Sequence, residues 1–239
     1  MIKYFFFIFL FCISNVYAYE RVHIAVSSNF IEPLDLIKKQ FLKKNKIIIT
    51  TSKGSTAKLF AQIINNAPID IFLSADQLTI KKLSDNKKIQ GSEFTYAIGK
   101  LVIFSKSKIL KHLKLGKILS QKLSNKIVIG NPKFSPYGLA SKQVLESLGM
   151  WSLFKNRIIL ASNINQVSSF IYSGNADLGI ISNSDKLKLK KYKFGYFKEI
   201  PQNLYSPIKQ DVILLENAKY NNKAKLFFNF LKSDDTKKI

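Results

Sequence analysis

Cysteine, arginine and histidine are nearly missing from this chain of 239 residues, and each shortage closes off a chemistry. The one cysteine, Cys12, sits inside the opening stretch MIKYFFFIFLFCISNVYA. That stretch has the layout of a secretory leader: Lys3, an apolar run from Tyr4 to Ile13, a polar turn, then Val16-Tyr17-Ala18 as a small-x-small cleavage site. The run falls short of the roughly 20 residues that a spanning helix needs, so residues 1–18 read as a cleaved signal peptide rather than an anchor. Phe11 precedes the cysteine where a lipoprotein signal wants a small residue, so lipidation is not expected. The mature chain then has no disulfide and no thiol chemistry.

His23 and His112 are the only histidines, too few for a histidine-built metal centre. Of 38 basic residues only Arg21 and Arg157 are arginine, leaving 36 lysines. The formal net charge of +23 would suit nucleic acid, yet grips on phosphates and bases lean on the planar arginine fork. Lysine is instead spread through every segment, so no nucleic-acid partner is expected and the field acts at most as a general attraction for anions. Enzyme signatures are absent as well, with no G-x-S-x-G, no phosphate-binding G-x-x-x-x-G-K-[ST] and no H-E-x-x-H. Asp70 and Asp76 flank an apolar strand and read as turn and cap residues. Tyr96, Trp151 and Tyr172 read as packing residues.

What the chain does have is alternation. Strands are expected at 21–26, 46–52 and 69–75, with helices at 30–45, 55–66 and 77–83 between and after them. The first helix carries a stripe of Phe30, Leu34, Ile37 and Phe41, and the second points Leu59, Phe60 and Ile63 inward. A second series follows: strands at 97–106, 126–132, 156–162 and 177–183, helices at 138–151 and 164–176. A return strand at 205–216 then leads to a terminal helix at 221–233. The β-α-β order predicts mainly parallel sheets flanked by helices, in two lobes of roughly 100 residues with a ligand cleft between them.

The polar residues gather at the strand-to-helix junctions: Ser27-Ser28-Asn29, Gly54-Ser55-Thr56, Pro136-Tyr137-Gly138 and Asn163-Ile164-Asn165. In parallel sheets these junctions share one edge, where helix starts offer unpaired amides and partial positive charge. Together they would hold a fully ionised anion by neutral donors alone. The plainer reading is that Ser, Thr and Asn are common helix caps, with Asn29 and Glu32 forming a capping box. Both readings stand at this level.

The segments VSSNF, GSTAKLFAQI, NNAPIDIFLSAD, FTYAIGKLVIFS, NPKFSPYG, GNADLGII and YSPIKQDVILL, in that order from residue 21 to 235, resemble the periplasmic molybdate-binding proteins of bacterial ABC transporters. The resemblance implies a type II periplasmic binding protein, not an enzyme, that captures molybdate and tungstate and passes them to a membrane permease and ATPase. It implies lobe 1 at 19–97 plus 206–239, lobe 2 at 98–205, a monomer, no cofactor and a periplasmic location. Carried over residue by residue, the oxyanion would meet Ser28, Asn29, Ser55 or Thr56 and the Ala57 amide from lobe 1. Tyr137 and the Ile164 amide would come from lobe 2, with oxygens of the anion accepting from all of them and no direct metal ligand. Some members add a tyrosine at the position of Ser182; Asn29 places this chain with those that lack it. The rival expectations are a receptor for another tetrahedral oxyanion, a secreted enzyme on the same fold, or a basic surface-binding protein.

Overall fold

The computed structural model describes residues 21–107, 112–119, 126–191 and 195–237, so the expected signal peptide at 1–18 lies outside the described residues. The chain first lays down β1 (Arg21–Ser27), α1 (Ile31–Leu42), β2 (Ile48–Gly54), α2 (Thr56–Ile64), β3 (Ile71–Leu73), α3 (Gln77–Asp85) and β4 (Ile89–Gly99). It then builds β5 (Leu101–Ser105), α4 (Leu115–Ile118), β6 (Ile127–Gly130), α5 (Pro136–Ser147) and α6 (Trp151–Phe154). β7 (Ile158–Ala161), α7 (Ile164–Tyr172), β8 (Leu178–Ser182), α8 (Asp185–Lys191) and β9 (Tyr196–Glu199) complete that half. The chain returns as β10 (Ile208–Leu215), α9 (Asn222–Phe230) and α10 (Asp234–Lys237).

These strands form two five-stranded sheets, ordered β2-β1-β3-β10-β4 and β7-β6-β8-β5-β9. In the first, β2, β1 and β3 are parallel and only β10 runs against the others. In the second, β7, β6 and β8 are parallel and only β5 is reversed. The reversed strand in each sheet is the one that has just arrived from the other sheet. Two connections therefore join the halves: Lys100, between β4 and β5, and the stretch from Ile200 to Pro207 between β9 and β10.

Packing follows from strand alternation. Val22, Ile24 and Val26 on one face of β1 meet Leu34, Ile37 and Phe41 of α1 and Phe227 and Phe228 of α9. Ala25 and Phe72 on the opposite face meet Leu59 and Ile63 of α2 and Ile80 and Leu83 of α3. Both faces are covered, which is why β1 reads as a continuous apolar run. Phe60, expected inward, is only partly buried at the edge of this cluster. The second sheet has its own core around Ile103, Phe104, Val128, Val144, Val167 and Ile180.

Two expected elements are different in the structure. The run expected as one strand at 97–106 is two strands in different sheets, because Lys100 is the crossover. The helix expected at 138–151 begins earlier, at Pro136, and stops at Ser147. Gly149 has φ +68°, a left-handed backbone that ends α5, and Trp151 starts α6 instead. Sequence periodicity also missed the first half of β4, α4, α8 and β9, all short or polar.

Candidate anion-binding site

The carboxyl ends of the parallel strands in the two sheets face each other, and the junctions after them meet across a seam. The stretch after β1 forms a tight 3-10 turn, Ser28–Phe30, before α1. Its side chains do not cap. No side-chain cap bond is made by Ser27 or at the start of α1, so the expected Asn29–Glu32 capping box is not formed. Ser55 makes none at α2 either. Ordinary caps do occur at the two junctions of the second sheet, where Ser135 accepts from Gly138 N and Asn163 from Gln166 N, each at 3.3 Å.

The freed groups of the first sheet turn toward the seam. Ser27 Oγ accepts from the Ala75 amide at 3.1 Å and lies 2.9 Å from Thr56 Oγ1. Ser27 can therefore donate to Thr56, which leaves the Thr56 proton for a ligand. Ser28 Oγ donates to Gly54 O at 2.8 Å, tying the first junction to the second. Ser28, Asn29, Ser55 and Thr56 are all buried, and Ala57 is partly so. The Ala57 amide donates across the seam to Phe134 O at 3.3 Å.

Tyr137 reaches in from the second sheet. Its hydroxyl accepts from Asn29 Nδ2 and from Gln210 Nε2, both at 3.3 Å, while Asn29 Nδ2 also donates to Gln210 Oε1 at 2.6 Å. Two bonds accepted leave the phenolic hydrogen free to donate. Burial first, then the nearby carboxyl of Asp185 and the phenol of Tyr205, push the Tyr137 phenol well above its ordinary value, and the bonds from Gln210 and Asn29 pull back less. The hydroxyl therefore stays a donor at any physiological pH. Gly99, at the end of β4, is what makes room for it, since a Cβ there would collide with the Tyr137 hydroxyl.

Ile164, the expected source of a main-chain amide, is the buried first residue of α7, which packs against the 28–30 turn. Ser182 is fully buried at the end of β8, 2.9 Å from Ser184 Oγ, and Ser184 donates to the main-chain carbonyl of Asn29. The structure thus brings Ser28, Asn29, Thr56, Ala57, Tyr137, Ile164 and Ser182 to one seam, and Ser55 is buried next to Thr56 at the start of α2. Grooves of about 510 and 490 Å³ flank it, the first lined by Thr56, Ala57 and Ser135, the second by Asn29, Tyr137 and Ser184.

Two residues at this centre escaped the sequence reading. Gln210 is buried on β10 and joins Asn29, Tyr137 and Tyr96, whose hydroxyl donates to Ser74 O at 3.0 Å and lies 3.3 Å from Gln210 Oε1. The signal was there: Gln210-Asp211 is a polar pair inside an apolar strand. Asp185 is buried beside Ser182. Asp76 is the plain cap expected, accepting from Thr79 N at 2.7 Å, and Asp70 accepts from the His23 amide at 2.7 Å. Among the described residues no group of three or more His, Cys, Asp or Glu is placed to hold a metal ion.

Residues 22–239 match the family described as bacterial extracellular solute-binding protein. The molybdate-binding protein ModA of Azotobacter vinelandii is 37% identical over 89% of this chain and 84% of its own length. ModA of Rhodobacter capsulatus is 34% identical over 90% of this chain and 84% of its own length. The solved Azotobacter vinelandii periplasmic molybdate-binding protein superposes with a TM-score of 0.84 at 33% identity, over 90% of this chain and 94% of that one. The chain belongs to the bacterial extracellular solute-binding proteins.

Proposed function

We propose that this protein captures molybdate, and tungstate with it, between its two lobes and delivers the anion to the permease and ATPase of an ABC importer. The observation that carries the reading is the seam itself, where hydroxyls and amides from both sheets converge with no lysine or arginine among them. A tetrahedral dianion offers only acceptors, and the hydrogens that Thr56 and Tyr137 keep uncommitted, with the main-chain amides, meet it as donors. Relatives named for molybdate binding support the choice of ion.

In this reading Ser28, turning its hydroxyl from Gly54 O to the ligand, Ser55 or Thr56 and the Ala57 amide hold the anion from the lobe at 19–97 plus 206–239. The Tyr137 hydroxyl and the Ile164 amide hold it from the lobe at 98–205. Asn29 gives one of its two N–H groups to the anion by yielding the longer bond, the one to Tyr137. The Ala57 amide likewise exchanges Phe134 O for the ligand. Ser182 acts behind the site through Ser184. Binding bridges the lobes, so it favours the closed form, and the two crossovers serve as the hinge. The protein works as a monomer in the periplasm after removal of residues 1–18.

Calorimetry on the mature chain with molybdate, tungstate, sulfate and phosphate tests this. Tight binding of molybdate and tungstate with weak or absent binding of sulfate is expected. Equal affinity for sulfate would overturn the choice of ion. No binding of any of the four would overturn the site.

A further inference from the structure

One ionisable carboxyl lies in the seam and has no part in the anion cradle as described so far. Asp185 opens α8 and is 4% exposed, and its Oδ2 is buried with no hydrogen-bond partner. The charged and titratable groups that face it are Lys188 on its own helix, Glu32 on α1 across the seam, and Tyr137 on α5. α8 packs against α1, so both halves of the molecule contribute to its burial.

Hydrogen bonding around Asp185 is directional. Ser184 Oγ spends its hydrogen on the Asn29 carbonyl. It can then only accept from Ser182 Oγ, 2.9 Å away, which spends the Ser182 hydrogen in turn. The Asp185 carboxyl lies beside that same serine, whose hydroxyl and main-chain amide both favour its charged form. With the serine hydrogen already committed to Ser184, little of it is left for the carboxylate, and Oδ2 stays without a partner. The chain then runs one way across the seam, from Ser182 to Ser184 to the main chain of Asn29, and Asp185 stands beside its start.

A charged Asp185 would stand desolvated beside Glu32 with one oxygen unpartnered, and face a captured dianion. We infer that Asp185 is a positioning residue of the anion site whose carboxyl takes up a proton as the lobes close, so that anion capture is coupled to proton uptake. This rests on the reading that an oxyanion binds between the lobes.

Burial, the largest cause, pushes the Asp185 carboxyl up to about 7, and Glu32 adds to it, against smaller opposing pulls from Ser182 and Lys188. Opening the lobes removes Glu32 and readmits water, returning the group toward the ordinary carboxylate value of about 4. The closed form therefore binds more protons than the open one between these values, and affinity falls as pH rises through 7. A midpoint of about 7 in the closed form means uptake of about half a proton per anion at pH 7. The same midpoint weakens binding about ten-fold from pH 6 to pH 8.

The experiment is calorimetry of molybdate binding at pH 7 in buffers of different ionisation enthalpy, with the mature chain, Asp185→Asn and Ser184→Ala. For the unaltered protein the heat should depend on the buffer with a slope near half a proton. Asp185→Asn should abolish the slope. Ser184→Ala should reduce it, because Ser182 regains a hydrogen for the carboxylate. No slope in the unaltered protein, or the same slope in both variants, overturns the inference while leaving molybdate capture intact. Absence of molybdate binding altogether overturns both.

Discussion

In the proposed function, Tyr137, Asn29 and Gln210 hold a neutral anion site ready. Each of the three is bonded to the other two, and they come from different elements: α5, the 28–30 turn and β10. The network fixes the Tyr137 ring and leaves its hydrogen uncommitted, so the donor needs little reorganisation when an anion arrives. Tyr137→Phe removes that donor and strands the hydrogens of Asn29 and Gln210 in a buried place, at a cost of about 1–3 kcal/mol. Molybdate affinity should fall at least about ten-fold by calorimetry, the equivalent of about 1.4 kcal/mol. Thr56→Ala separates ligand binding from capping more sharply. The Thr56 hydroxyl contacts Ser27 and makes no cap bond, so the variant should lose molybdate affinity with little change in melting temperature. A true cap would instead cost about 1 kcal/mol of stability. Unchanged affinity in Thr56→Ala would remove that hydroxyl from the site.

At the level of elements, the junctions decide what could be read beforehand. β1, α1, β2, α2 and α7 were legible because their apolar periods are long and their flanks polar. The junction residues were legible as a group, but capping and ligand roles use the same residue types, so sequence favoured a cap at any one junction and left the ligand reading open for the four together. The structure separates them: Ser135 and Asn163 cap, while the Ser27–Asn29 and Ser55–Thr56 side chains do not. What stayed hidden was long-range. The split at Lys100 inside one apolar run depends on which sheet each half joins. The roles of Gln210 and Asp185 depend on contacts with residues far away in the chain. Gly99 joins the two levels, closing β4 and making room for the Tyr137 hydroxyl. Gly99→Ala should push Tyr137 off Asn29 and Gln210, weakening molybdate binding several-fold while thermal unfolding remains a single transition. Affinity equal to that of the unaltered chain would mean that the ring does not need its present position.

For the whole molecule, the proposed function gives the net charge of +23 and the uncharged cradle different steps of one process. Held charges at the cradle would bind any anion strongly, and neutral donors leave discrimination to size and geometry. The diffuse lysine field acts earlier, on encounter. Lys82, Lys133 and Lys209 line the groove of about 510 Å³ that also reaches Thr56 and Ala57, and all three are exposed. Lys82 lies on the first half of the molecule, Lys133 on the second and Lys209 on the returning strand, so they flank the groove from both sides. Exposed charges steer small ions at long range and are screened within about 8 Å at physiological ionic strength. Stopped-flow measurement of molybdate binding should show an association rate that falls as salt rises. Replacing all three lysines by glutamine should lower that rate several-fold at low salt and leave dissociation nearly unchanged, because none of them is in the cradle. If the substitutions accelerate dissociation instead, these lysines hold the bound anion directly, and the division between a charged approach and a neutral site fails.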